Sequence, residues 1–425
     1  MEFLDSFPYL FRIIISLFAI LVFQKLTKRL DVAMIAGILL LGLWTDHSMA
    51  DILAVAGGRI ASLDTLFLAM VITCVIWLSG LMSHAGIMRD LVVSLKARLS
   101  KRTILAALPA VVGLLPMPGG ALFSCPLLDD ADEGGAIDPI TKTKINYWFR
   151  HAWEFGWPLY PGVLLAVDLS GLPIWKLVLL MCPMFVVAIA AGYYCMLRRM
   201  PGGGHDGNGE RKPFFQLILP IITVIVVYSL IMVAAPQVGR YNKYLPMFIG
   251  VLCALAVMQA QRPASLGTWR KTVFSTRWIA LVAIIVLARV YGAFIESRLA
   301  NGEMLMERVR AELDTFGIPS LLLIVLIPFI SGLTTGITIG YIGASFPVVL
   351  SLAAGASTGG YFAAIILGYT CGYIGMMLSP IHVCLIVTNQ YFKTSLTGSV
   401  LGLLKPSLIL FAAAAVYALA WWALF

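Results

Sequence analysis

This sequence predicts an all-α polytopic membrane protein of about ten spanning helices plus two re-entrant hairpins, arranged as two inverted repeats. Three observations carry that prediction. The 425 residues are 60% hydrophobic and only 12% charged, whereas a soluble domain is about 45–50% apolar and about 25% charged. Apolar runs near spanning length recur from end to end, so the lipid bilayer is the protein's solvent. Several of those runs are broken by proline and glycine where a plain span would continue. Backbone at membrane depth leaves helical geometry only where protein or a watery cavity satisfies it.

Taken in order, spans are expected at 9–26, 31–48, 65–85, 144–167, 173–197, 214–235, 243–260, 278–297, 361–391 and 404–424. The first run, Phe11 to Phe23, has no basic segment before it and no small-residue cleavage site after it, so it reads as a span rather than a signal peptide. The interrupted pieces at 104–128 and 318–355 read as hairpins, and 144–167 and 361–391 as broken helices. Two amphipathic stretches, Ile87–Leu99 and Met304–Leu313, precede the hairpins at equivalent places. They suit interfacial helices joining a scaffold to a moving domain, or simple solvated connectors. The Gly-rich, charged linker at 198–213 divides the chain into halves, 1–197 and 214–425.

The halves look like repeats. FGWPLYPGVLLAV (155–167) aligns with IGMMLSPIHVCLIV (374–387), setting Gly156 on Gly375, Leu159 on Leu378 and Pro161 on Pro380. The broken segment after Leu115 lies opposite FISGLTTGITIGYIGASFP (329–347) at nearly the same offset. Five spans and a hairpin per half insert the second half upside down. The basic residues agree: Lys25, Lys28 and Arg29, the group from Arg89 to Lys144, and those at 198–212 and 262–277 fall on one side with Lys393 and Lys405. By the positive-inside rule that side is cytoplasmic and both termini are outside. The net charge of +9 therefore serves topology rather than nucleic-acid binding. None of the seven cysteines forms a CxxC pair, which argues against disulfides and a structural zinc site.

Candidate site residues cluster at the breaks. The first hairpin tip, PMPGG, offers backbone N–H groups around Pro118, Gly119 and Gly120, with the Ser124 hydroxyl nearby; helix N-termini at such a break favour an anion. The second tip, SGLTTGIT, offers Ser331, Thr334, Thr335 and Thr338, which can donate to a carboxylate or help hold Na⁺. For any single Gly or Thr, helix packing is the plainer explanation. In NYWFRHAWEFGWP, Arg150 and Glu154 would sit one helical turn apart, either as a structural ion pair or with Arg150 gripping a substrate carboxylate. Glu154 and His151 are then candidates to carry a proton or line an ion site. The second break adds Ser379, His382, Thr388 and Asn389, and freed carbonyls near Pro161 and Pro380 suit a coupling cation. Arg289, alone in an apolar span, reads first as half of a structural ion pair. The acidic run DDADEGGAID (129–138) lacks the twelfth-position Glu of a calcium loop and reads as a solvated loop.

The string WFRHAWEFGWPLYPG (148–162) resembles the prokaryotic membrane-protein family called domain of unknown function 401, and the resemblance covers nearly the whole chain. That family is similar to the ion-transporter superfamily of gluconate, citrate, lactate and dicarboxylate carriers. The resemblance implies an elevator-type inverted-repeat carrier of the inner membrane, commonly dimeric, moving an organic anion with Na⁺ or H⁺. The Ser-Asn-Thr hairpin motifs of the Na⁺-coupled dicarboxylate branch are missing here, which leaves substrate and coupling ion open. The expectation is thus a non-enzymatic secondary transporter without a cofactor beyond its coupling ion. In it, Arg150 with the hairpin tips, His151, Ser379 and His382 would hold the anion. Glu154, Pro161, Thr335, Ser379, Pro380 and Asn389 would serve the cation. The competing readings are an intramembrane enzyme and a non-transporting subunit. HEXXH and GxSxG are both absent, and His151 with Glu154 is the one obvious metal-ligand pair.

Overall fold

In lipid each segment must satisfy its own backbone groups, so an apolar chain of this kind becomes helix. The protein is described by a computed structural model, which covers residues 7–424 except 46, 97, 115–119, 133, 134, 201–212, 275 and 300. Among the described residues it is helical, with one isolated antiparallel bridge, Arg298 to Met304, in place of any sheet. The first half contains α1 (Tyr9–Thr27), α2 (Leu30–Trp44), α3 (Met49–Ala61), α4 (Leu63–His84) and α5 (Ile87–Lys96). It continues with a hairpin, α6 (Lys101–Gly113) and α7 (Ala121–Ala131), then α8 (Pro139–His151), α9 (Pro161–Ser170) and α10 (Ile174–Gly192). The second half contains α11 (Phe214–Ala234), α12 (Pro236–Tyr241), α13 (Leu245–Gln261), α14 (Leu266–Val273), α15 (Thr276–Ile295) and α16 (Leu305–Phe316). Its hairpin is α17 (Ser320–Thr335) and α18 (Thr338–Ala353), followed by α19 (Thr358–Met377), α20 (Val383–Phe392) and α21 (Leu396–Leu424).

About seven described helices are long and apolar enough to cross a membrane, fewer than the ten expected. The difference has a physical cause. Helices α2 and α13 have 15 and 17 residues, roughly 23 and 26 Å at 1.5 Å per residue, against about 30 Å of hydrocarbon. The run at 144–167 is two shorter helices, α8 and α9, joined through a tight turn at Ala152–Phe155. The first hairpin, Lys101–Ala131, reaches a little beyond its expected limits at both ends, and the second, Ser320–Ala353, falls a little inside them. Three short helices, α3, α12 and α14, lie between the expected elements.

Two bodies emerge from the packing. In one, α1 and α2 pair and α2 rests on α15, with Ser16 of α1 bonded to Tyr291 of α15 at 2.8 Å. In the same body α11 and α13 pair, and α13 rests on α4. The first two spans of each half thus lean on the third span of the other. The second body contains both hairpins and both broken helices. Gly332 of α17 meets the Gly372 carbonyl of α19, a contact that leaves no room for a Cβ. The corresponding arm of the first hairpin lays Gly113 against the Arg150 carbonyl of α8. Helices α10 and α21 pack on the broken helices and on each other, so they belong to this body.

The amphipathic helices tie the two bodies together. On α16, Glu312 accepts the Tyr9 and Leu10 amides at the start of α1 (3.0 and 2.8 Å). Its neighbour Arg310 donates to the Ser351 and Ala354 carbonyls at the end of α18. On α5, Asp90 pairs with Arg262 at the end of α13, while Val92 packs with Ile104, Leu108 and Val112 of the first hairpin. The acidic loop is also more ordered than expected. Asp132 is 4% exposed, accepts the Ala136 and Ile137 amides at 3.1 Å each and pairs with Lys142 at 2.9 Å. Burial alone would raise its pKa, but Lys142 and those amides outweigh it and hold the carboxyl below its ordinary value.

Candidate functional site

The two helix breaks face each other at the centre of the core. Regular helix ends at His151 in α8 and at Met377 in α19, and it resumes at Pro161 and Val383. The second hairpin turns over Gly336, whose φ of +63° suits a residue without a side chain. Gly336 lies against Ser379 and the backbone of His382. The first hairpin brings Gly120 against the Arg150 guanidinium so closely that a Cβ on residue 120 would overlap it. Four chain segments, two from each half, therefore converge.

They enclose a cavity of about 170 Å³ lined on the core side by Arg150, His151, Glu154, Tyr160, Pro161, Gly162, Thr338, Met376, His382 and Cys384. The opposite wall is Ile76 of α4 and Leu281 of α15, the third spans of the two halves. Arg150, His151, Glu154 and His382 are each 5% exposed or less. The Glu154 carboxylate accepts the Thr338 hydroxyl and lies 4.0 Å from His151 Nε2. His151 Nδ1 bonds the Tyr147 carbonyl at 2.7 Å, and its Nε2 lies 3.0 Å from His382 Nε2. The Tyr147 ring packs against both imidazoles, at 4.8 and 5.0 Å between centroids. The Arg150 guanidinium reaches the Cys384 thiol, and its charge also acts on Glu154. The first turns of α9 and α18 also line the space, adding two positive helix ends.

Several expected site residues lie elsewhere. Pro118 and Gly119 fall outside the described residues. Ser124 turns its hydroxyl to Gly120 and Ala121 in its own helix (3.4 Å each). Thr334 bonds the Ile330 carbonyl at 2.6 Å and Thr335 the Ser331 carbonyl at 2.7 Å, as hydroxyls in an apolar helix commonly do. Ser379 donates to the Leu333 carbonyl at 2.7 Å, fastening the break to the hairpin. Asn389 closes the turn into α21, accepting Thr394 and Ser399 hydroxyls at 2.7 and 2.6 Å. Pro380 is exposed and lines no part of the cavity. Glu154 does not continue the α8 helix, so the expected one-turn spacing from Arg150 gives way to a tighter bend. Arg289 pairs with Asp168 at 2.7 Å, beside Lys243 at 2.9 Å, as its structural reading required.

Sequence reasoning missed Cys384. Nothing local in the sequence marks the thiol: its neighbours His151 and Arg150 come from the other half of the chain, and only the fold brings them within reach. Cysteine spacing, on which the expectation of no structural zinc site rests, does not register residues brought together this way.

Fold and site together define a polytopic, all-helical membrane protein organised around two interrupted helices and a buried polar cavity. Residues 11–423 match the family described as protein of unknown function (DUF401), and the chain belongs to that family. Comparison with curated proteins gives no match.

Proposed function

We propose that this protein is a secondary active transporter that carries a small organic anion across the cytoplasmic membrane, coupled to Na⁺ or H⁺, by moving the core against the outer frame. The observation that carries this reading is the position of the cavity: both breaks and the second hairpin form one wall, and the third spans of the two halves form the other. A site on such a seam opens to either side when one body slides past the other. Its chemistry favours an anion, with a buried guanidinium and the first turns of two helices around it. Its volume suits a ligand of a few heavy atoms. Glu154 with Thr338 is the group placed to serve the coupling cation.

The element order supports the inverted-repeat part of this reading, because each half runs through two spans, a short helix, a third span, an amphipathic helix, a hairpin, a broken helix and a last span, the second half adding the short α12 between its first two spans. So does the cross-tying of each amphipathic helix, which holds its own hairpin and a span from the opposite half. Membership in the ion-transporter superfamily, the outside position of both termini and a homodimeric assembly belong to the same proposal. The test is thermal unfolding of the purified protein with a panel of small carboxylates and sulfonates, with Na⁺ or K⁺, at two pH values. A ligand that binds the folded state alone raises its unfolding temperature. We expect at least one anion to do so, and Arg150→Ala to remove the shift while Arg150→Lys keeps part of it. Stabilisation that survives Arg150→Ala would overturn the anion assignment.

A further inference from the structure

We infer that His151, His382 and Cys384 form a binding site for a transition-metal cation of the zinc class, with one coordination position open to the cavity. One ring nitrogen each of His151 and His382 and the Sγ of Cys384 all lie within 4.8 Å of one another. The two Nε2 atoms are 3.0 Å apart, close to the spacing of two imidazoles on one tetrahedral ion whose bonds are about 2.0–2.1 Å. A sulfur and two nitrogens suit a borderline or soft ion and not Na⁺ or Mg²⁺, which take oxygen.

The surroundings supply what such a centre needs. The His151 Nδ1–H donates to the Tyr147 carbonyl, which fixes the tautomer and leaves the Nε2 lone pair facing His382. A hydrogen bond of that kind on the far nitrogen is the usual partner of a metal-bound histidine. The Arg150 guanidinium lies beside the Cys384 thiol. Helix interruption explains why the ligands meet: His151 ends α8, while His382 and Cys384 stand either side of the start of α20. All three line the cavity, so the remaining position of a four-coordinate ion faces it. Glu154, with Oε1 4.0 Å from His151 Nε2, is the nearest carboxylate to that position.

This inference stands apart from the transport reading, and its test uses neither an anion nor a flux. Full-length protein freed of any affinity tag is titrated with Co²⁺ in detergent, followed by Zn²⁺ competition. We expect one ion per chain, the intense visible bands of tetrahedral cobalt, a near-ultraviolet thiolate-to-cobalt band and loss of both on adding zinc. Cys384→Ser should remove the thiolate band, and His382→Gln should weaken binding about tenfold or more. Cys371→Ser, in a cysteine outside the cluster, should leave the spectrum unchanged. Wild-type protein without a tetrahedral thiolate spectrum would overturn the assignment, whether or not either variant folds. A spectrum that survives both Cys384→Ser and His382→Gln would overturn it equally.

Discussion

Arg150 is held by its neighbours in a way that separates the site from the fold. The atoms nearest to a Cβ on residue 120 belong to the far end of the Arg150 side chain, so a methyl group there displaces the guanidinium first. Gly120→Ala is therefore expected to leave the unfolding temperature without ligand almost unchanged and to reduce the anion-dependent shift. Loss of folding in that variant would show that the contact is structural. Asp132 makes the opposite case. Its carboxyl is held below its ordinary value, so its contribution is complete above the unfolded value of about 4 and is lost as pH falls through the folded one. Asp132→Asn should cost about 1–3 kcal/mol at neutral pH, and the gap from wild type in thermal unfolding should close as the solution is acidified below pH about 4. At this scale the sequence exposed Arg150, His151 and Glu154, because ionisable residues in an apolar run are costly enough to need a reason. It could not expose their partners. His382 lies 231 residues from His151, and hydroxyls such as those of Thr334 and Asn389's partners find local acceptors that no composition signal distinguishes from a ligand.

The helices show which parts of the chain were legible and why. Long apolar runs and their interruptions appeared where hydropathy and Pro/Gly punctuation put them, since lipid leaves the backbone few alternatives. Helix α3 was missed, although Ser48 and Asp51 form a reciprocal capping box at its start, a signal carried by the sequence itself. The amphipathic helices α5 and α16 were legible as interfacial, but their anchoring through Asp90 and Glu312 depends on residues far along the chain. Close packing inside the core has its own test. A Cβ on Gly332 would overlap the Gly372 carbonyl, backbone that cannot move aside. Gly332→Ala should therefore lower stability by about 1–3 kcal/mol. Gly57→Ala, on the exposed face of α3 with nothing within 4 Å of the added carbon, should instead raise it by about 0.5–1 kcal/mol. Thermal unfolding of the two variants beside wild type reads both signs.

On the scale of the whole molecule, two bodies share one seam, and the cavity on that seam holds the buried Arg150 and Glu154. Ile76 and Leu281 present apolar side chains to a polar core wall, whereas Arg289 of α15, with Lys243, holds Asp168 of α9 across the same seam, so sliding must break or carry that cluster. The amphipathic helices, each fastened to both bodies, would then flex as the core moves. The sequence hinted at this plan through the repeat of breaks and hairpins, but the assignment of α10 and α21 to the core depends on packing that hydropathy does not encode. The central claim is that the cavity opens to each side of the membrane in turn. The most direct measurement uses a variant that keeps Cys384 as its only cysteine, reconstituted in vesicles of known orientation and exposed to a membrane-impermeant maleimide from one side and then the other. Alternating access predicts labelling from both sides, with protection by an anion that stabilises the protein. Labelling confined to one side, with and without that anion, would contradict it.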